Sequence, residues 1–296
     1  MSKEFTACLP NWTVHKCGSG QPQTLGPETT IWTDEHGSLI LSKVDNGPSD
    51  RYRLRLSNEI SVDISFDELL VCHHSTSGSV AGPAHEHFLI DQVLPRILGQ
   101  QGQLVLHAAA VKVGDATVLL LGKSGSGKST LAASFHGAGH ALLGDDALIV
   151  SWPTQMANAS AVYPSLRLFP DSIEAVFADD VVTASVAHYT HKLRVSVPLK
   201  DGGESGALPI RALFVLSPYS RETVLIERKS IAEACMALVE NSFVLDPTDT
   251  DRAAGRLRDA SRLAGEIPAF DLCYPRAYSR LADVQAAIFE ALDQPA

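Results

Sequence analysis

The chain has 296 residues with 45% hydrophobic content, enough for about two packed domains of ~150 residues, and carries a formal net charge of −10. That acidity argues against a nucleic-acid or anionic-membrane partner, because such surfaces are held by Lys and Arg neutralising phosphates. Cys8, Cys17, Cys72, Cys235 and Cys273 are odd in number and scattered, no run reaches about 18 apolar residues, and no secretory run opens the chain, so a reducing cytoplasm is the expected compartment.

Residues 1–100 read as a small, mainly β unit. Thr30–Trp32 and Ser38–Val44 flank an Asp34-Glu35-His36-Gly37 turn, and Tyr52–Leu56 and Ile60–Ile64 alternate apolar with polar. A helix over about Ala84–Leu98 closes the unit, with Phe88, Leu89, Val93, Leu94 and Ile97 at helical spacing; Pro95 is expected to kink it or end it early. His85-Glu86-His87 lacks the spacing that puts two imidazoles on one helix face, and neither it nor Cys72-His73-His74 is expected to bind metal. Gly99-Gln100-Gln101-Gly102 marks the junction. The β unit leaves open both a peptide-reading sheet edge and a homo-oligomer interface.

From Leu104 the pattern becomes alternating β and α, and 101–296 is expected to form the second domain. A strand Leu104–Val113 carries His107, a turn follows at Gly114-Asp115, and a strand Thr117–Leu121 runs into Gly122-Lys123-Ser124-Gly125-Ser126-Gly127-Lys128-Ser129-Thr130. A helix Leu131–His136 follows, ended by Gly137 and Gly139. Strand, glycine-rich turn and helix in this order form a phosphate-binding loop. Gly122, Gly125 and Gly127 let the backbone turn tightly, so that the amides of the loop, Ser124, Ser126 and Thr130 among its members, can reach phosphate oxygens at the positive end of a helix dipole. Lys128 would lie along the β- and γ-phosphates of ATP, and the Ser129 hydroxyl would help hold Mg²⁺.

A short strand Ala141–Leu143 then delivers Gly144-Asp145-Asp146, and Ala147–Trp152 leaves it. Paired acids in a turn are common as plain polar residues; beside a phosphate loop, one can hold metal and the other can take a proton from an attacking hydroxyl. His107 reads equally as a core histidine or a phosphate contact, given the small residues that follow it. Arg167, Lys192 and Arg194 are the remaining cations expected near a transferring phosphoryl group, with ordinary surface roles as the alternative. Further strands are expected at Arg194–Val197, Ile210–Leu216 and Val224–Glu227, and helices at about 230–243, 249–264 and 281–293, the first two capped by Ser230 and Asp249. Asp201–Gly206 reads as a mobile loop.

This ordered set, His107 in a strand, the loop, then Gly139-His140-Ala141-Leu142-Leu143-Gly144-Asp145-Asp146, resembles the C-terminal kinase domain of bacterial HPr kinase/phosphorylase. The resemblance covers about 104–150 well and the rest loosely. It implies an α/β fold, a P-loop kinase domain of the HPr kinase and phosphoenolpyruvate carboxykinase type, here preceded by the mainly β N-terminal domain. It also implies phosphorylation of a protein serine by Mg-ATP. Lys128 and Ser129 would bind phosphate and metal, and one of Asp145 and Asp146 would act as base while the other holds metal; we assign Asp145 as base and Asp146, with Ser129, to Mg²⁺. The family's N-terminal domain and its Glu-Ile-Arg-Gly-like run are absent; Tyr163-Pro164-Ser165-Leu166-Arg167-Leu168-Phe169-Pro170-Asp171 stands in place of that run. With His191-Lys192-Leu193-Arg194 and Pro209-Ile210-Arg211, the layout looks more like the HPr-kinase-related proteins that accompany ribosomally made peptides. Some of those, found with lasso peptide biosynthesis, phosphorylate the terminal serine of the precursor.

An ABC-type ATPase would carry a Leu-Ser-Gly-Gly-Gln-like signature and a GTPase an Asn-Lys-x-Asp run, and neither is present. A nucleotide-sensing or ATP-hydrolysing regulatory protein without an acceptor is the alternative to a kinase. The acidic pair, which a simple sensor does not require, separates the two.

Overall fold

The computed structural model describes residues 3–16, 26–34, 37–45, 51–57, 60–75, 83–163, 165–177, 181–187, 190–196 and 206–293. The expected loop Asp201–Gly206 lies outside the described residues except for Gly206, and Glu35, His36 and Pro164 lie outside them as well. The chain divides into two compact units, Met1–Gln100 with Val244–Thr250, and Gln101–Phe243 with Asp251–Ala296. The short segment Val244–Thr250 thus groups with the first unit, although its place in the sequence puts it within 101–296.

The first unit holds α1 (Lys3–Cys8) and the strands β1 (Thr13–Lys16), β2 (Glu28–Thr33), β3 (Leu39–Val44), β4 (Arg51–Leu56), β5 (Ile60–Ser65) and β6 (Leu70–Ser75), ordered β1-β6-β5-β4-β3-β2 in one sheet. Alternation places Ile60, Val62 and Ile64 of β5 in the core and its intervening residues outward. The Tyr52 hydroxyl, buried on β4, donates to Asp246 at 3.0 Å, a bond that holds the segment 244–250 to this unit. The closing helix does not end early at Pro95 but runs through it: α2 (Pro83–Phe88) passes into a π-helical turn, Leu89–Val93, and then into α3 (Leu94–Gln100). The Leu94 N–H reaches back to the Leu89 carbonyl, a wider bond than the α-helical one. That shift in register relieves the Asp91 carbonyl of the bond that proline cannot donate and of the clash with its ring.

The second unit comprises β7 (Leu104–Leu106), β8 (Ala109–Val113), β9 (Ala116–Leu121), α4 (Lys128–Gly137), β10 (Leu142–Gly144), β11 (Leu148–Ser151), β12 (Asn158–Ala161), β13 (Arg167–Leu168), α5 (Pro170–Val176), β14 (Thr183–Ser185), β15 (Leu193–Val195), β16 (Leu208–Leu216), β17 (Leu225–Arg228), α6 (Ile231–Glu240), α7 (Thr250–Glu266), β18 (Ala269–Cys273) and α8 (Leu281–Asp293). The main sheet runs β10-β8-β9-β16-β12-β11-β7, with β18 beside β16 and β17 beside β18. The neighbours β9, β16 and β18 are parallel, and the other pairs of this sheet are antiparallel. A small separate sheet has the order β13-β15-β14.

The expected single strand Leu104–Val113 is two strands. β7 pairs with β11 while β8 pairs with β9 and β10, so the chain crosses from one part of the sheet to another at His107-Ala108. The His107 N–H leaves the ladder and donates to the Asn241 carbonyl at 2.6 Å.

Both faces of β9 are buried, which is why it reads as a continuous apolar run. Val118 and Leu120 face a core with Leu131 and Phe135 of α4 and Val284 and Ile288 of α8, while Leu119 and Leu121 face one with Leu238 of α6 and Leu263 of α7. The helix α6 begins at a full capping box: Ser230 Oγ accepts from the Glu233 N–H at 3.3 Å, and the Glu233 carboxylate accepts from the Ser230 N–H at 2.8 Å. Phe135, fully buried, packs edge-on against Phe289 at 5.7 Å between ring centroids. Phe135→Ala is expected to cost about 3–5 kcal/mol, read as a lower urea midpoint for the second unit; a loss below about 1 kcal/mol would contradict this packing.

Candidate active site

The β9 strand ends at Leu121, and the next residue, Gly122, has φ 141°. A Cβ there would stand 2.8 Å from the Leu216 carbonyl oxygen, so only glycine passes this point beside β16. Gly127, at φ 91°, is the N-cap of α4, and a Cβ on it would lie 2.6 Å from the Tyr274 hydroxyl. Between them the loop closes on itself through the Ser126 N–H, which donates to the Lys123 carbonyl at 3.1 Å. The buried Lys128 side chain spans the loop and donates to the carbonyls of Gly122 at 2.6 Å and Lys123 at 3.3 Å. Desolvation pushes its pKa down, and the charges of Asp145 and Asp146 oppose that shift.

Ser129, in the first turn of α4, donates its hydroxyl to Asp145 Oδ1 at 3.1 Å. Asp145 is 1% exposed, and its Oδ2 has no hydrogen-bond partner among the described residues. Burial, reinforced by the charge of Asp146, pushes the Asp145 carboxyl up to about 8, against the Ser129 hydrogen bond and the charges of Lys192 and Lys128.

Asp146 adopts φ 75°, left-handed backbone that costs a non-glycine residue on the order of 1–3 kcal/mol. It lines a cleft of about 90 Å³ together with Ser124, Gly125, Gly127, Lys128, Ser129 and Thr130 of the loop, His107, Arg167, Leu168, Phe169 and Lys192. Arg167 grips its Oδ2 with Nε at 2.9 Å and Nη2 at 2.5 Å, and His107 Nε2 stands 3.7 Å from Oδ1. Burial alone would raise this carboxyl, but His107, Lys192 and Lys128 outweigh it and hold Asp146 below the usual carboxylate range.

The structure therefore gathers Lys128, Ser129, Thr130, His107, Asp146, Arg167 and Lys192 around one cleft, with Asp145 behind Ser129. Arg194 is not among the lining residues; it sits across from Arg167 in the β13–β15 pair, and its charge reaches Tyr163. The Thr130 hydroxyl lies 3.2 Å from Ser172 Oγ on α5. The Ser129 hydroxyl meets Asp145, and Asp146 is the acid on the cleft wall. That difference in direction goes with the left-handed turn at Asp146, which no strand-end pattern encodes.

Sequence reasoning also missed three residues. Asn241 Oδ1 accepts from the Gly122 N–H at 3.3 Å, and Tyr274 and Arg276 stand over Ser126 and Gly127. No local pattern could reveal them, since they lie more than a hundred positions along the chain and arrive with β18 and the end of α6.

The Asp145 donor set fits a hard divalent cation: a buried carboxylate oxygen without a partner next to a serine hydroxyl, both oxygen ligands. No protein-family model matches the chain, and no curated protein matches it. Among solved structures, the Hpr(Ser) kinase/phosphatase from Coxiella burnetii is similar at 13% identity over 64% of this chain and 96% of that one, with a TM-score of 0.31. No helix among the described residues is long and apolar enough to cross a membrane.

A carboxyl whose folded pKa is raised stabilises the fold below its unfolded pKa and loses that contribution as pH rises through the folded value. Without nucleotide or metal, the wild-type thermal midpoint should therefore fall between about pH 4 and about pH 8 relative to Asp145→Asn. At pH 8 the variant should be the more stable by about 1–3 kcal/mol. Parallel midpoints for the two proteins over pH 5–9 would sink this account of the buried carboxyl.

Proposed function

We propose that this protein is an ATP-dependent kinase that transfers the γ-phosphoryl group to a serine hydroxyl of a peptide or protein. The observation that carries the reading is the pairing of a phosphate loop with two carboxyls, one hydrogen-bonded to Ser129 and one on the cleft wall beside Lys128. A loop that only gripped nucleotide would need neither. The resemblance of 104–150 to the HPr kinase domain supports the serine acceptor, and the 163–171 and 191–194 layout supports a ribosomally made precursor, a lasso peptide among them.

Ser129 and Asp145 are the residues that would hold Mg²⁺, through the hydroxyl and the unpartnered Oδ2. When bound, Mg²⁺ supplies charge neutralisation across the β- and γ-phosphates. Asp146 takes the base role in place of Asp145: it faces the cleft, and its surroundings keep it anionic. In the transfer the serine oxygen bonds to the γ-phosphorus, the β–γ bridging bond breaks, ADP departs, and the hydroxyl proton passes to Asp146. Arg167 fixes the direction of that carboxylate by its forked contact, and His107 lies against the other oxygen. Lys128 exchanges the loop carbonyls for phosphate oxygens, and Lys192, which lines the cleft with its ammonium over the Phe169 ring, adds a second cation for charge that spreads over the moving group.

Incubation with labelled ATP and serine-bearing peptides, followed by mass spectrometry, should show a phosphoserine product. Asp146→Asn should lower turnover by about 10²–10⁴ with nucleotide affinity preserved, whereas Asp145→Asn should raise the Mg²⁺ requirement by about 10–100-fold. Unchanged turnover in Asp146→Asn would return the base role to Asp145. Label released only as free phosphate, with no labelled acceptor, would replace the kinase by an ATP-hydrolysing or sensing protein.

A further inference from the structure

One guanidinium ties together three loops at the same end of the parallel strands β9, β16 and β18. Arg276, which follows β18, donates from Nη1 to the Ser126 carbonyl and from Nη2 to the Ser217 carbonyl just after β16. Its own N–H donates to Ser220 Oγ at 3.2 Å. The guanidinium lies 4.5 Å over the Tyr274 ring, with Nη1 3.0 Å from that hydroxyl. The grip is directional, because a guanidinium fork presents donors in a fixed plane, stacking holds the plane, and lysine can do neither.

The Ser126 carbonyl belongs to the same peptide as the Gly127 N–H. That peptide is trans, so the two groups point in opposite directions. With the carbonyl held outward by Arg276, the Gly127 N–H is turned away from the clamp. Gly127 lines the cleft, and among the described residues no acceptor takes its N–H. An amide in that state, beside Lys128, is a donor waiting for an anion. The absence of a Cβ on Gly127 is what lets the clamp close, since that carbon would stand 2.9 Å from Arg276 Nη1.

We infer that Arg276 is a positioning residue for nucleotide binding, acting from outside the loop to aim the Gly127 amide at a phosphate oxygen of the bound polyphosphate. The inference rests on the nucleotide reading proposed above and adds a residue to it that never touches substrate. Its role differs from that of a distant charge, since the fork must bridge two carbonyls.

The test compares wild type, Arg276→Ala and Arg276→Lys by calorimetric titration with Mg-ATP and, separately, with inorganic tripolyphosphate. Both variants should bind both ligands about ten- to a hundredfold more weakly, the range of one lost charge-assisted hydrogen bond. Millimolar guanidinium should restore much of the loss in Arg276→Ala and none in Arg276→Lys, whose ammonium blocks the space. Wild-type affinity in Arg276→Lys would show that charge alone matters and overturn the positioning role, as would unchanged affinity in Arg276→Ala or a loss confined to ATP. Failure of wild type to bind either ligand would instead remove the nucleotide reading itself.

Discussion

Asp145 is a carboxyl buried beside a second carboxyl, with Ser129 as its hydrogen-bond donor at 3.1 Å and one oxygen that no described residue satisfies. Such a group is costly in a folded interior unless it is protonated or meets a cation. Its position ties the end of β10 to the first turn of α4, so the glycine-rich loop and the acidic turn hold one geometry. The rest of the site follows from that join. Ser129 is oriented by it, Lys128 lies one residue before, and Asp146 one residue after is carried to the cleft wall.

The two acids sit next to each other in sequence yet in different electrostatic surroundings. Asp146 has Arg167, His107, Lys192 and Lys128 around it and stays anionic; Asp145 has burial and the negative charge of Asp146 against it and is raised. Environments of this kind push the pKa values of neighbouring titratable groups apart. The left-handed residue at Asp146 is the structural means of separation, a local strain held by the fork of Arg167.

The loop itself is held from three sides. Lys128 fills its inside, Asn241 receives the Gly122 amide, and Arg276 grips the Ser126 carbonyl. Each contact holds a peptide group of the loop without help from a ligand. A loop ordered beforehand loses less freedom on binding. Parallel packing of β9, β16 and β18 makes this possible, because it brings the chain ends after each strand to one edge of the sheet, where open α/β sheets place their ligands.

Sequence alone determined what depends on neighbours along the chain. The glycines at 122, 125 and 127 announce backbone that other residues avoid, the apolar run before them announces a strand buried on both faces, and Ser230 with Glu233 announces a helix start. Arg167 and Lys192 were expected as cations beside the loop and line its cleft, and the pair Asp145-Asp146 was legible as acids near the loop. Tertiary structure alone decided which acid faces Ser129, because the direction of a carboxylate at a turn depends on one backbone angle. It also decided the break at His107, where the chain crosses the sheet, the passage of the closing helix through Pro95, and the arrival of Asn241, Tyr274 and Arg276. Those residues are selected by strand order, a long-range pairing of segments whose local sequences carry no mark of their neighbours.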